Sequence, residues 1–371
     1  PFAMPSLIWN MMMSMSGSWV FLIQSEAIYI AAQRVNLPGV GSYIDLANST
    51  ENVHALIYAI IAMLAVILIY DQLLFRPLVA WSGKFRSGED TDLAPAESWL
   101  LNIFQRTRWL QVVGGFFRLC ADKMINLNFL SFTAHSQKNV KRSEVWGRIY
   151  NVVWWILLFA IVGYSFYALS HFILSHVTAR EVLHVIYLGF LSMLRVAAVL
   201  IISALIWVPI GVWVGSRPRL TSWVQPIAQF LAAFPINLLF PFAALFIVHY
   251  NLNVNIWCAP LMILGTQWYI LFNVISGTSA LPKKLRYAVG VMHVKGFLKW
   301  RKFILPGIFP YLVTGVITAA GGAWNITIIA EVINFGGHHL IAAGIGAYIA
   351  NHSSLAGGYP NVVLGIAVMI F

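Results

Sequence analysis

The chain has 371 residues, of which 60% are hydrophobic and only 9% charged, and its net charge is +11. Ordinary water-soluble domains carry about 25% charged residues, so that class is excluded. The positive charge is not spread as on a nucleic-acid-binding surface. All of the 23 basic residues except Arg34, Arg180 and Arg195 fall in blocks at 76–148, 217–219 and 283–302, between apolar stretches.

In chain order, apolar runs predict helices that cross a bilayer near 6–28, 54–74, 149–172, 185–214, 226–250, 256–276, 309–333 and from 360 onward. Each is close to the ~20 residues that a hydrocarbon core demands. The runs are continuous rather than alternating, which selects helices over barrel strands. The basic blocks occupy alternate loops, and the positive-inside rule then puts those loops on the cytoplasmic face. Between the second and third runs, residues 79–147 form a charged connector without a spanning run. Within it, 97–110 has the pattern of an amphipathic helix lying on the membrane or on the protein's inner face. Cys120 and Cys258 provide neither a disulfide framework nor a metal-ligand spacing. His338, His339 and His352 lack any counterpart in the other half of the chain, and no metal site is expected from them. Gly211-Val-Trp-Val-Gly215 has the spacing of a helix-contact motif.

The beginning of the chain returns near its end. Pro1, Pro5, Leu7, Gly17, Trp19, Glu26 and Ile28 match Pro306, Pro310, Leu312, Gly322, Trp324, Glu331 and Ile333 at a constant offset of 305. The register continues where Gly39-Val-Gly-Ser-Tyr-Ile44 meets Gly344-Ile-Gly-Ala-Tyr-Ile349, a pattern expected for an outer loop or a short re-entrant helix. A period this long is a duplicated domain, not a solenoid repeat. The expected organisation is residues 1–78 as the last two helices of a first domain, 79–147 as the connector, and 148–371 as a second domain. Both copies run outward from the cytoplasm, so the repeat is parallel, and about four further spans are expected before residue 1.

The basic loop from Ala280 to Pro306 carries a spaced motif. Tyr287-Ala288-Val289 is followed after three residues by His293, after nine more by Phe303, and after one more by Leu305-Pro306. This resembles the EAA loop of ATP-binding-cassette importer permeases: Glu-Ala-Ala, three residues, Gly, nine residues, Ile, one residue, Leu-Pro. The spacing holds, while Tyr287 and His293 replace the family's Glu and Gly. Pro282 can open a short helix there, with Leu285, Ala288 and Met292 on one face. With Asp71-Gln-Leu-Leu-Phe-Arg-Pro-Leu78 and Thr318-Ala-Ala-Gly-Gly-Ala-Trp-Asn325, the chain looks like the duplicated permeases of the nitrate, sulfonate and taurine type.

The resemblance implies an all-α polytopic membrane protein of MetI-like architecture: two fused permease domains of about six helices each, the first truncated and the last helix of the second incomplete. It implies a multi-pass protein of the bacterial inner membrane that imports a small solute, an oxyanion such as nitrate or a sulfonate, by alternating access. It also implies two cytoplasmic ATP-binding subunits and a periplasmic or lipid-anchored solute-binding protein. The loop 281–304 would dock the ATPases, with Lys284, Leu285, Arg286, Tyr287, Ala288, Val289, His293, Lys295, Leu305 and Pro306 as the coupling residues. No Gly-x4-Gly-Lys-Ser/Thr loop occurs, so ATP and Mg are expected on the partner subunits and no cofactor or catalytic residue on this chain.

For the solute path, the candidates are Trp19, Glu26, Arg195, Trp324, Asn325 and Glu331. Glu26 and Glu331 fall ~33 Å along their helices, at the outer interface, where an acid either faces a wet cavity or caps and pairs locally. Arg195, in an apolar helix, either faces an anionic solute or pairs with Glu331. Trp19, Trp324 and Asn325 follow small residues and either line the path or pack. The alternative class is a secondary transporter or channel driven by ion gradients, which would need coupling acids at mid-membrane.

Overall fold

A computed structural model describes residues 4–30, 33–82, 140–335, 338–355 and 357–370. The amphipathic helix expected at 97–110 lies outside the described residues. Five described helical stretches are long and apolar enough to cross a membrane: Val53–Trp81, Ile149–His176, Ala179–Gly215, Val254–Ser279 and Gly296–Ala330. The fold is all-α and polytopic. Two compact units divide the chain, residues 99–179 and the remainder.

In the first unit, α5 (Val140–His176) is apolar around its circumference, with Trp154, Trp155, Phe159 and Tyr164 exposed on it. A helix of that kind belongs in lipid or against other spans.

The second unit holds both copies of the repeat. In the first copy, α1 (Met4–Glu26) runs into the antiparallel hairpin β1 (Ala27–Ile30) and β2 (Gln33–Asn36). Then come the short α2 (Val40–Ser49) and α3 (Val53–Tyr70), which continues through one π-turn, Asp71–Phe75, into α4 (Arg76–Ser82). The second copy has the same order: α12 (Leu305–Ala330), hairpin β3 (Val332–Phe335) and β4 (His338–Ile341), α13 (Ile345–Ser353) and α14 (Tyr359–Ile370). The stretches around Gly39 and Gly344 are thus a hairpin followed by a short helix.

Between the copies lie α6 (Ala179–Gly215), α7 (Pro218–Ala233), α8 (Phe240–His249), α9 (Val254–Ser279), α10 (Lys283–Val291) and α11 (Gly296–Lys299). Gly215 of α6 lies flat on α9, where an added Cβ would fall 2.8 Å from the Ile275 carbonyl oxygen. Small residues at Gly211 and Gly215 therefore allow the backbones to touch.

The run 226–250, expected as one span, is broken. α7 and α8 meet at 73°, joined by a short 3₁₀ turn, Ile236–Leu239. The cause is local: Phe234 precedes a proline and is extended (φ −71°, ψ 127°), and Pro235 has no N–H to continue the ladder. The main core around this break joins Val20 and Ile23 of α1, Ile44 of α2, Leu56 and Met63 of α3, Leu238, Met262, and Ala323 and Ala330 of α12.

Candidate functional site

Each copy closes its hairpin on a glutamate. At the end of α12, the Glu331 carbonyl accepts Ala342 N–H at 2.8 Å; at the end of α1, the Glu26 carbonyl accepts Leu37 N–H at 2.8 Å. The carboxylates then turn onto the following short helices. Glu331 Oε2 accepts Gly346 N–H at 2.8 Å and Ala347 N–H at 3.2 Å, and Glu26 Oε2 accepts Gly41 N–H. An acid at the open N–H groups of a helix start satisfies orphan donors and the helix dipole together. Gly39 and Gly344 sit so near these carboxyl groups that a Cβ on either would overlap them. The recurring Gly-x-Gly is the space these clamps need.

The second clamp is extended by α6. Ser192 Oγ donates to Glu331 Oε1 at 2.6 Å and accepts Ile345 N–H at 2.9 Å. Arg195 forms an ion pair with Glu331 Oε1 and donates to the Ala343 carbonyl at 3.1 Å. The Ala343 N–H is taken by Asn255 Oδ1 of α9 at 2.7 Å. Glu331 is fully buried and the Arg195 side chain 10% exposed. All these contacts are donors, as an ionised carboxylate requires.

A cavity of about 850 Å³ lies between the copies. Equivalent positions face it from both sides: Ile23 and Ile328, Gln24 and Ile329, Asp45 and Ala350, Asn48 and Ser353, Ser49 and Ser354. At Gln24, Asp45 and Asn48 the first copy is more polar than Ile329, Ala350 and Ser353 of the second, which adds Asn351 to the lining. The broken helix closes the cavity with Asn237, Phe240 and Pro241, and His339 of β4 joins the wall. Among the described lining residues there is no Lys or Arg.

Of the solute-path candidates, none lines this cavity. Glu26, Arg195 and Glu331 lie in the clamps. Trp19 makes an edge contact with Tyr70 at 5.6 Å, and both Trp19 and Trp324 pack against the main core. Asn325 is exposed. Sequence reasoning missed Ser192, Asn255 and Asn237. For Asn237 a signal existed, since Pro235 and Pro241 bracket a polar residue within an apolar run.

The basic loop is a helix–turn–helix, exposed among the described residues. α10 and α11 bury no residue, and Leu285, Tyr287, Met292, Phe297 and Leu298 are exposed, as are Lys284, Ala288, Lys295, Leu305 and Pro306. Val289 is half-buried, and Arg286, also half-buried, donates to the Thr278 carbonyl at the end of α9. The turn after α10 is a Schellman cap: Val294 N–H reaches the Val289 carbonyl at 3.2 Å and His293 N–H the Gly290 carbonyl at 3.1 Å. His293 holds the left-handed position (φ +52°) that such caps usually give to glycine.

Residues 207–371 match the family of binding-protein-dependent transport system inner membrane components. The bicarbonate transport system permease protein CmpB of Synechococcus elongatus is 30% identical over 159 residues, covering 43% of this chain and 54% of that protein. The CmpB of Synechocystis sp. is 30% identical over 159 residues (43% and 53%). The nitrate import permease protein NrtB of Leptolyngbya laminosa is 26% identical over 176 residues, or 47% and 59% of the two chains. The chain thus spans about half the length of the curated relatives it matches.

Proposed function

We propose that this chain is the membrane-spanning permease of an ATP-binding-cassette importer for a small oxyanion, working by alternating access in a bacterial inner membrane. The observation that carries the reading is the exposed helix–turn–helix at 283–299, rooted in two spanning helices and with no residue of α10 or α11 buried by the described residues. Its exposed apolar residues among lysines and arginines suit a groove on a soluble ATPase. Arg286 fixes α10 to the end of α9, and α11 leads through a π-turn, Trp300–Ile304, into α12. A push on the loop therefore reaches two helices of the same unit, one of which carries Glu331 and the cavity-lining Ile328 and Ile329.

The oxyanion class is supported by the relatives' printed substrates, bicarbonate and nitrate. ATP hydrolysis belongs to separate subunits, two of which would dock below, and a solute-binding protein would deliver to the hairpin end. Coupling by Lys284, Leu285, Arg286, Tyr287, Ala288, Val289, His293, Lys295, Leu305 and Pro306 is part of the proposal, as is the division into 1–78, 79–147 and 148–371. Affinity purification of the full-length protein from its native membrane tests it: an ATP-binding-cassette ATPase should co-purify, and recovery of the chain without one would contradict it.

A further inference from the structure

Between Glu181 and Glu331 the chain has no Asp or Glu, yet ten Lys and Arg fall there. Arg195 has Glu331 as its partner. The other nine lie in the blocks at 217–219 and 283–302, which the positive-inside rule places on the cytoplasmic side. Two of them, Arg217 and Arg219, occupy the turn from α6 into α7. Both are exposed, and among the described residues neither meets a carboxylate.

This turn lies at the level of the membrane surface. Ser279 Oγ at the end of α9 donates to the Gly215 carbonyl at 3.3 Å, so two spanning helices end together beside it. Trp213, in the last turn of α6, and Trp223, in the second turn of α7, are 54% and 75% exposed. Exposed indoles at the ends of apolar helices mark the headgroup boundary. The Arg217 guanidinium lies 4.9 Å over the Trp213 ring and donates to the Trp213 carbonyl at 3.4 Å. That stacking fixes the fork and leaves its other N–H groups unused among the described residues. The nearby hydroxyls are already engaged, Ser216 on the Val212 carbonyl at 2.6 Å and Ser222 on the Arg219 carbonyl at 2.8 Å. The side-chain donors left at the turn are therefore cationic.

We propose that Arg217 and Arg219 hold the phosphate of an anionic lipid of the cytoplasmic leaflet, with a phosphatidylglycerol-type headgroup, while Trp213 and Trp223 sit against its glycerol and upper acyl chains. Two guanidinium groups match a phosphate both in charge and in fork geometry. The cytoplasmic leaflet supplies anionic headgroups at this depth. A lipid brings the phosphate and the apolar boundary together, where two spanning helices end. The phosphate also neutralises the corner at which Thr278 lies against Gly215 and its carbonyl accepts from Arg286 of α10. The site is separate from the cavity between the copies and holds whatever the solute.

The test is native mass spectrometry of the full-length protein in detergent, titrated with phosphatidylglycerol and, separately, with phosphatidylcholine of the same acyl chains. Phosphatidylglycerol should bind at least about tenfold more tightly. Arg217→Gln with Arg219→Gln should weaken that binding at least about tenfold and leave phosphatidylcholine unchanged. Lys299→Gln with Lys302→Gln removes the same charge from the same face and should leave phosphatidylglycerol binding within about twofold. If the double arginine variant does not fold, Arg219→Gln alone, at an exposed side chain, should still weaken binding about threefold or more. Equal binding of the two lipids, or equal losses in the lysine and arginine variants, would overturn the site and leave only a diffuse positive surface. Displacement of the lipid by equimolar glycerol phosphate would also overturn it, since free phosphate would then be the ligand. Unchanged lipid binding with loss of ATPase co-purification in the arginine variant would overturn it in favour of a protein interface.

Discussion

Glu331 accepts the backbone N–H of Gly346 at 2.8 Å, and 305 residues earlier Glu26 accepts the N–H of Gly41 in the same way. One acid at the end of a long helix thus pins a hairpin and the start of a short helix in both copies. The cavity walls are built on these pinned segments.

Among the described residues, Arg195 and Ser192 close on the second clamp. Replacing Glu331 with Gln leaves Arg195 almost buried without its counter-charge, and should cost about 3 kcal/mol. The double variant Glu331→Gln with Arg195→Met should recover part of that loss. Thermal unfolding in detergent reads both; additive losses would argue that the pair is not coupled.

Gly344→Ala places a methyl group against the Glu331 carboxyl, and Gly39→Ala does the same to Glu26. Each should destabilise by about 1–3 kcal/mol through displacement of the clamp. Gly321→Ala, whose added Cβ meets nothing within 4 Å, serves as the control and should change stability little.

His293→Gly should stabilise the basic loop by about 0.5–1 kcal/mol, since the left-handed backbone there strains any side chain with a Cβ. Hydrogen exchange of the 283–299 amides measures it; slower exchange in the glycine variant is expected, and faster exchange would contradict the cap.

Leu285→Glu and Phe297→Glu alter side chains that are 54% and 78% exposed. Their effect on unfolding should lie within about 0.5 kcal/mol. If the loop docks an ATPase as proposed, co-purification of the ATPase should fall at least about tenfold, because an acid would replace an apolar contact there. Retention at the wild-type level would remove the docking role from this loop.

The recurrence at an offset of 305 was legible in the sequence because Pro, Gly, Trp and Glu return in register, and those residues hold particular backbone or charge positions. The end-of-helix location of Glu26 and Glu331 followed from counting residues. The pairing of Glu331 with Arg195 was one of the two alternatives the sequence left open; the backbone N–H groups that each carboxylate grips, 15 residues ahead, and Ser192 on Glu331 were not legible, because they lie on other elements. The hairpins escaped notice since four-residue strands leave too short an alternation to read beside long apolar helices. The break at Pro235 was hidden for a related reason: 226–250 is apolar on both sides of it, and hydropathy does not register a bend. Asn237 was lost with it, as one amide in an apolar run tells little until the chain turns it into a cavity.

The most direct measurement of the central claim is ATP-dependent oxyanion uptake into proteoliposomes containing the full-length protein and its ATPase, with and without Leu285→Glu. Uptake that needs ATP hydrolysis and is lost with the loop variant is the result predicted. Uptake that proceeds without ATP, driven by an ion gradient and indifferent to the loop, would contradict the account.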